Sequence, residues 1–235
     1  MTTENKSTKP ELEELAPETI QRLMEATYFL QQMTMTYQEP TAFRFNLNAT
    51  IQAIRNITFV LQAELSDNDI FQNWYPSKQD EMRANPLLRQ FVEARNIIVK
   101  KKSLEARSKA SVGLFVYHRL KLWIQNEVCP NITSEHLLNT AKAHFTDVFV
   151  DKNHSAEWEQ LGVKREWIAT ELGEDEVVGL CNRAIDYFGV LLIDLANSTG
   201  HNFQWQPGEI SKLSYYQILL ETDLDPSLPK KWGWE

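Results

Sequence analysis

Apolar positions along most of this chain recur at three and four, the spacing that lays one stripe along an α-helix. From Pro17 to about Tyr37 the stripe is Ile20, Leu23, Met24, Thr27 and Leu30, and a proline suits a first helical turn, where no N–H is needed. Glu39-Pro40 ends that helix. A second helix, capped by Thr41 and running to about Leu65, has two apolar faces. One holds Phe43, Leu47, Ile51, Ile54, Thr58 and Leu61, the other Phe45, Ala49, Ala53, Ile57 and Val60. Two such faces predict a central helix packed on both sides, with Arg55 and Gln62 meeting polar groups of its neighbours. Ser66, Asp67 and Asp69 offer caps for a third helix ending near Ala84, which Pro76 should kink or break.

The next stretch, Asn85 to Lys102, organises the rest. Asn85 is the expected cap and Pro86 the first helical residue. Leu88, Phe91, Val92, Ile98 and Val99 form its apolar stripe, with Arg95 inside the stripe, Asn96 beside it, and Lys100, Lys101 and Lys102 closing the helix. A guanidinium keeps its charge, so burying one unpaired costs several kcal/mol or more; Arg95 needs a carboxylate, carbonyls, a partner chain or an anionic ligand.

After Lys102 the period drops to two. Val112, Leu114, Val116, His118, Leu120, Leu122 and Ile124 alternate with their neighbours, which predicts a strand over 111–124, with 103–110 as a hairpin partner. Thr133 and Ser134 cap a shorter helix to about Val148, 150–164 read as loop, and Arg165 to Leu172 as a short turn. A last long helix spans Glu174 to Ser198, with Gly200 as its C-cap. The aromatic- and proline-rich segment after it is too apolar for a free tail; it is expected to wrap the domain or add a short strand beside the β insertion. The fold class is therefore mainly α: a helical bundle with a small β insertion and an irregular C-terminal tail. The expected parts are a disordered tail over 1–16, a helical core over 17–102, the β insertion over 103–130, helices completing the bundle over 131–200 and a wrapping segment over 201–235.

Composition narrows the function classes. Eight glycines are too few for a Gly-rich nucleotide loop, and two cysteines, Cys129 and Cys181, give no disulfide framework. No apolar run reaches the ~20 residues of a membrane span and the N-terminus lacks a signal-peptide core, so a cytoplasmic protein without membrane partners is expected. The net charge of −8 argues against a general nucleic-acid coat protein. The charge is uneven, however. Between Arg83 and Lys109 eight basic side chains face two acidic ones, a local +6 that leaves −14 elsewhere. Such a face suits a phosphate site or the acidic surface of another protein.

A double-faced helix, then Trp74-Tyr75, Asn85-Pro86 and Arg95-Asn96, resembles the HEPN superfamily of α-helical domains. The superfamily motif is an arginine, often followed by asparagine or another polar residue, then four to six residues and a histidine. Its members are commonly homodimeric, metal-independent ribonucleases, toxins or defence effectors, and some are non-catalytic RNA-binding relatives. Here Lys100, Lys101 and Lys102 stand where the histidine would. A lysine ammonium stabilises phosphate but is a poor base at neutral pH. The resemblance thus implies a HEPN-like bundle, a homodimer with its Arg95 helices facing, and RNA binding by Arg95, Asn96, Lys100, Lys101 and Lys102 with weak catalysis or none. The alternatives are a protein-interaction module or regulator in a defence or toxin–antitoxin system, and a metal-independent ribonuclease. No cofactor is expected. His144, Asp147, Asp151 and His154 lie close in sequence but lack a further ligand, so no metal is assigned to them. None of the nucleotide-loop, zinc-protease or nucleophile-elbow motifs occurs.

Overall fold

A computed structural model describes residues 9–100, 104–116, 119–149, 159–210 and 212–218. Its helices are α1 (Leu12–Leu15), α2 (Pro17–Met35), α3 (Pro40–Glu64), α4 (Asp69–Ala84), α5 (Pro86–Lys100), α6 (Ser134–Phe149) and α7 (Val177–Thr199). The strands are β1 (Ala106–Val116), β2 (Arg119–Val128), β3 (Glu159–Ala169) and β4 (Tyr216–Ile218). The chain divides into two compact units. One comprises Met1–Gln31, Asn46–Leu104 and Val178–Glu209; the other comprises Gln32–Phe45, Glu105–Val177 and Ile210–Glu235.

The first unit is helical, and side chains close its helix ends. Asn85 Oδ1 accepts from the backbone N–H of Leu87 at 3.0 Å and of Leu88 at 3.3 Å, so α5 begins where its sequence signals it. The cap of α4 is Asn68, which accepts from Phe71 N–H at 2.9 Å, rather than Ser66, Asp67 or Asp69; α4 then runs on through Pro76. The first turn of α2 is closed from outside its own helix. The Glu64 carboxylate at the end of α3 accepts from the N–H of Glu18 at 2.9 Å and from the N–H and Oγ1 of Thr19 at 3.0 and 2.7 Å. Leu47, Ile51, Ile54 and Leu61 of α3, Leu88, Phe91 and Ala94 of α5, and Cys181, Ala184, Ile185, Phe188 and Leu192 of α7 are buried. The second apolar face of α3 is not wholly covered, since Phe45 is 68% exposed. Gly200 (φ +78°) follows α7 in the left-handed region glycine tolerates. Returning chain then lies on α7: a Cβ at Gly189 would sit 2.3 Å from the Trp205 ring, and Trp205 Nε1 donates to Asp186 Oδ1 at 3.3 Å. Within the segment expected to be a free tail, Leu12 is fully buried and its N–H donates to Asn202 O at 2.8 Å.

The second unit is built on an antiparallel sheet of order β2-β1-β3-β4. Leu138 and Ala141 of α6 are buried, and Leu138 packs with Ala110 and Val163 of the sheet. Trp167 of β3 stacks on Phe43 with ring centroids 4.6 Å apart and donates its indole N–H to Tyr37 O at 2.8 Å. The Glu176 carboxylate accepts from the hydroxyls of Tyr37 at 3.1 Å and Tyr215 at 2.8 Å. Burial raises both phenol pKa values, and the negative Glu176 raises them further.

This sheet corrects the expected class. It is not a small insertion in a helical bundle: strands of 11, 10 and 11 residues form the core of a separate unit. The expected single strand over 111–124 is the outer part of a hairpin, Ala106–Val116 paired with Arg119–Val128. Alternation carries across its turn, so pattern alone hides the reversal. Most of the loop assigned to 150–164 lies outside the described residues, but its end and residues 165–169 of the supposed turn are strand β3, and Thr170–Leu172 form a short 3-10 helix. The last described residues, Tyr216–Ile218, add a strand beside β3. Among the described residues no helix is long and apolar enough to cross a membrane.

Candidate functional site

In the helical unit α3, α4 and α5 surround a cavity of about 430 Å³, floored in part by Phe188 of α7. Helix periodicity places its walls. On α3, Ile54, Arg55, Thr58, Phe59 and Gln62 succeed one another at one, three and four, so they share a side of the helix. Tyr75, Gln79, Met82 and Arg83 do the same on α4, whereas Leu88, Arg89, Phe91, Val92 and Glu93 of α5 spread over a wider arc. Leu88, Phe91 and Ile54 form the buried base, while Phe59 at 44% exposure and Val92 at 37% stand at the rim.

The rim is cationic. The Arg55 guanidinium lies 4.0 Å above the Phe59 ring and that of Arg95 lies 5.7 Å from the same ring, so two like charges flank one aromatic face. Burial lowers the Arg55 pKa; Tyr75 opposes this, and the charge of Arg95 adds to it. Arg55 Nη1 donates to Thr58 Oγ1. Among the described residues no carboxylate pairs with Arg55, Arg89 or Arg95. Arg83 is held otherwise, 3.0 Å from Asp80, and its other nitrogen donates to Gln79 Oε1 at 3.2 Å. Gln79 Nε2 in turn reaches Gln62 Oε1 at 3.4 Å, and Gln62 Nε2 donates to Thr58 O at 2.8 Å. This amide chain crosses the wall between α3 and α4. Arrayed in this way, the walls offer flat apolar surface, an amide edge and unpaired cationic charge. Their lining contains Glu93 as its carboxylate and no histidine.

Of the residues marked by sequence, Arg95 and Asn96 are half-buried and Lys100 is exposed at the last residue of α5. Lys101 and Lys102 lie outside the described residues. Arg95 does not sit inside a buried seam. The covered stripe of α5 is Leu88, Phe91 and Ala94, which leaves Arg95 on its border and Val99 half exposed. Gln62 meets a polar group of a neighbouring helix as expected, Gln79 of α4, and both Arg55 and Gln62 also line the cavity. Arg89 and Phe59 were not singled out by sequence, although the i, i+4 spacing of Arg55 with Phe59 and the basic run from Arg83 were visible. His118 lies outside the described residues, as do Asp151, His154 and the side chains of His144 and Asp147. No cluster of three or more His, Cys, Asp or Glu suited to a metal occurs among the described residues.

The family model for bacteriophage lambda protein ea47 matches residues 13–206, a range that contains every residue lining the cavity. The chain belongs to the ea47 family. Protein ea47 of Escherichia phage lambda is 29% identical over 160 residues, which cover 67% of this chain and 38% of that protein. The chain therefore spans about two fifths of the length of the ea47 relative it matches. No solved structure matches this ea47-family chain. The family match overturns the resemblance to the HEPN superfamily, which rested on the short Arg95-Asn96 pattern; an arginine and asparagine on a helix border recur for many reasons, whereas the ea47 match runs through nearly the whole described chain.

Proposed function

We propose that this ea47-family chain binds single-stranded RNA along α5, with Arg89, Arg95 and Lys100 meeting phosphates. The observation that carries the reading is the pairing of an open cavity with Arg55, Arg89 and Arg95, none matched by a described carboxylate. A half-buried guanidinium that lacks an internal counter-ion is stabilised by an anion from outside, and guanidinium forks suit phosphate. The local excess of positive charge between Arg83 and Lys109 concentrates a polyanion there despite the acidic whole. Asn96, next to Arg95, adds an amide donor beside the phosphate path. The described residues of the lining include no histidine to move a proton, so the reading proposed is one of binding. Fluorescence anisotropy with a labelled single-stranded oligoribonucleotide tests it. Affinity should fall with salt, with a log–log slope of about −0.7 for each phosphate engaged. Arg89→Glu with Arg95→Glu should weaken binding at least about tenfold while circular dichroism stays native. No binding at 50 mM salt (about the low end used for such measurements), or unchanged affinity in the double variant, refutes the reading.

A second reading, recognition of another protein chain, draws on strand β2. It is a sheet edge on which Leu122, Trp123 and Ile124 are 49%, 48% and 43% exposed, so an added strand has both backbone groups and apolar side chains to meet. Recovery of one protein partner by the native chain, lost with Trp123→Ser and unaffected by ribonuclease, selects this reading; recovery of none rejects it.

A further inference from the structure

We infer that the cavity among α3, α4, α5 and Phe188 is a pocket for one unstacked nucleobase, whose attached phosphate rests at the rim between Arg55 and Arg95. The inference rests on the RNA-binding reading for its source of ligand, but the pocket chemistry is argued separately. Volume comes first. About 430 Å³ falls in the ~300–1,000 Å³ range of small-molecule sites, which admits a base with part of its sugar and no base pair.

The walls then select the kind of molecule. Tyr75, whose other face stacks on Phe71 at 4.7 Å, and Met82 present flat or adaptable apolar surface on which a base can lay its π-face, and Phe59 adds an apolar edge beneath the guanidinium of Arg55. Gln62 and Gln79 bond to one another, to Thr58 O and to Arg83, and each amide keeps one N–H and one lone pair beyond those bonds for a base edge. A lipid tail would leave that remaining capacity unused.

Charge fixes the end that stays outside. Arg55 and Arg95 flank the Phe59 ring at 4.0 and 5.7 Å without a described carboxylate between them. Arg95 raises the cost of charging Arg55, and a phosphate at the rim offsets that cost. A base inside and its phosphate outside require a nucleotide that is not paired. The pocket therefore distinguishes single strands from duplex, in which bases are stacked and their edges already occupied.

Titration of the full chain with adenosine and uridine 5′-monophosphate, against ribose 5-phosphate and inorganic phosphate, tests the pocket directly. The monophosphates should bind about tenfold or more tighter than ribose 5-phosphate, the difference expected from stacking one base. Val92→Trp, at the exposed rim, should fill the mouth and weaken both monophosphate and single-stranded RNA binding about tenfold, removing the preference over duplex RNA but keeping the salt dependence. Ribose 5-phosphate binding as well as the monophosphates overturns the inference. So does RNA binding that ignores Val92→Trp and treats duplex and single strand alike, an outcome that leaves the RNA-binding reading standing. Monophosphate binding without RNA binding supports the pocket and ends that reading. Displacement of the monophosphate by an oligoglutamate at equal charge concentration marks the rim as a site for acidic peptide and overturns the assignment to nucleotides.

Discussion

Replacing Arg165 by methionine should leave the protein about as stable as it is, whereas alanine at the same place should not. Arg165 is completely buried in the sheet unit. Its Nε donates to Ser108 Oγ at 2.7 Å, and its Nη1 to Ile132 O at 2.7 Å and Ser134 Oγ at 3.4 Å. The guanidinium lies 4.2 Å from the Trp167 ring, and Nη2 is buried with no hydrogen-bond partner among the described residues. Burial pulls its pKa down to about 10, against the opposing pull of Tyr37, Glu39 and Cys129. A drop of that size costs the charged form about 3 kcal/mol at neutral pH. The three hydrogen bonds return roughly 1 kcal/mol each. Methionine gives up both contributions and keeps most of the packed volume, so the net change should lie within about 1–2 kcal/mol. Alanine also opens a cavity and should fall a further ~2–5 kcal/mol below methionine. Urea unfolding followed by far-UV circular dichroism measures all three proteins, with equal slopes required for the comparison. The pH dependence supplies the sign. The unfolded side chain holds its proton to higher pH than the folded one, which releases it from about 10. Above that value the unfolded state binds more protons, so stability of the native protein should rise with pH relative to Arg165→Met. A methionine variant that loses more than about 4 kcal/mol refutes the reasoning, because so large a loss requires a matched anion on Nη2.

Glu64→Ala should cost about 1–2 kcal/mol, read as a lower urea midpoint, because the N–H groups of Glu18 and Thr19 lose their shared acceptor at the start of α2. Glu64→Gln, which keeps one acceptor oxygen, should recover part of that loss; equal losses in the two variants would rule out a capping role. Glu176→Gln should bring the ionisation of Tyr37 and Tyr215 to lower pH, since a negative neighbour that opposes phenolate formation is gone. Absorbance at the phenolate band during an alkaline titration checks this, and an unshifted curve would mean that burial alone sets both groups.

Local chemistry wrote the helix ends plainly. Pro17, Asn85-Pro86 and Gly200 act through their own backbone and the next turn, so each could be read without knowing the neighbours. The same holds for the apolar stripe of α7, most of which is buried. Strand β3 was illegible for a definite reason. Its fully buried positions are Leu161, Val163, Arg165, Trp167 and Ala169, a regular period of two with a guanidinium in third place. An arginine at an inward position breaks the alternation of apolar and polar residues, so the segment read as loop and turn. What permits that arginine is Ser108 on β1, together with Ile132 O and Ser134 at the start of α6, none of them adjacent in sequence.

The cavity was hidden in the same way, and the reason bears on how much weight Arg95 deserves. A stripe counted along α5 placed Arg95 at its centre, yet which face is covered depends on where α3 and α7 pack. The covered residues are Leu88, Phe91 and Ala94, a line rotated off the counted one, and this turns Arg95 from a buried charge in need of a partner into a border charge beside an opening. The positive charge that demands explanation is then the pair it makes with Arg55 across Phe59. Arg55 is forty residues away in sequence and was legible only as a polar interruption on an apolar helix. The charge of Arg95 adds to the cost of charging Arg55, while the Phe59 ring between them returns part of that cost. A charge cost at the edge of an open cavity is one that an incoming anion relieves, which is why the pair is read as part of a binding site.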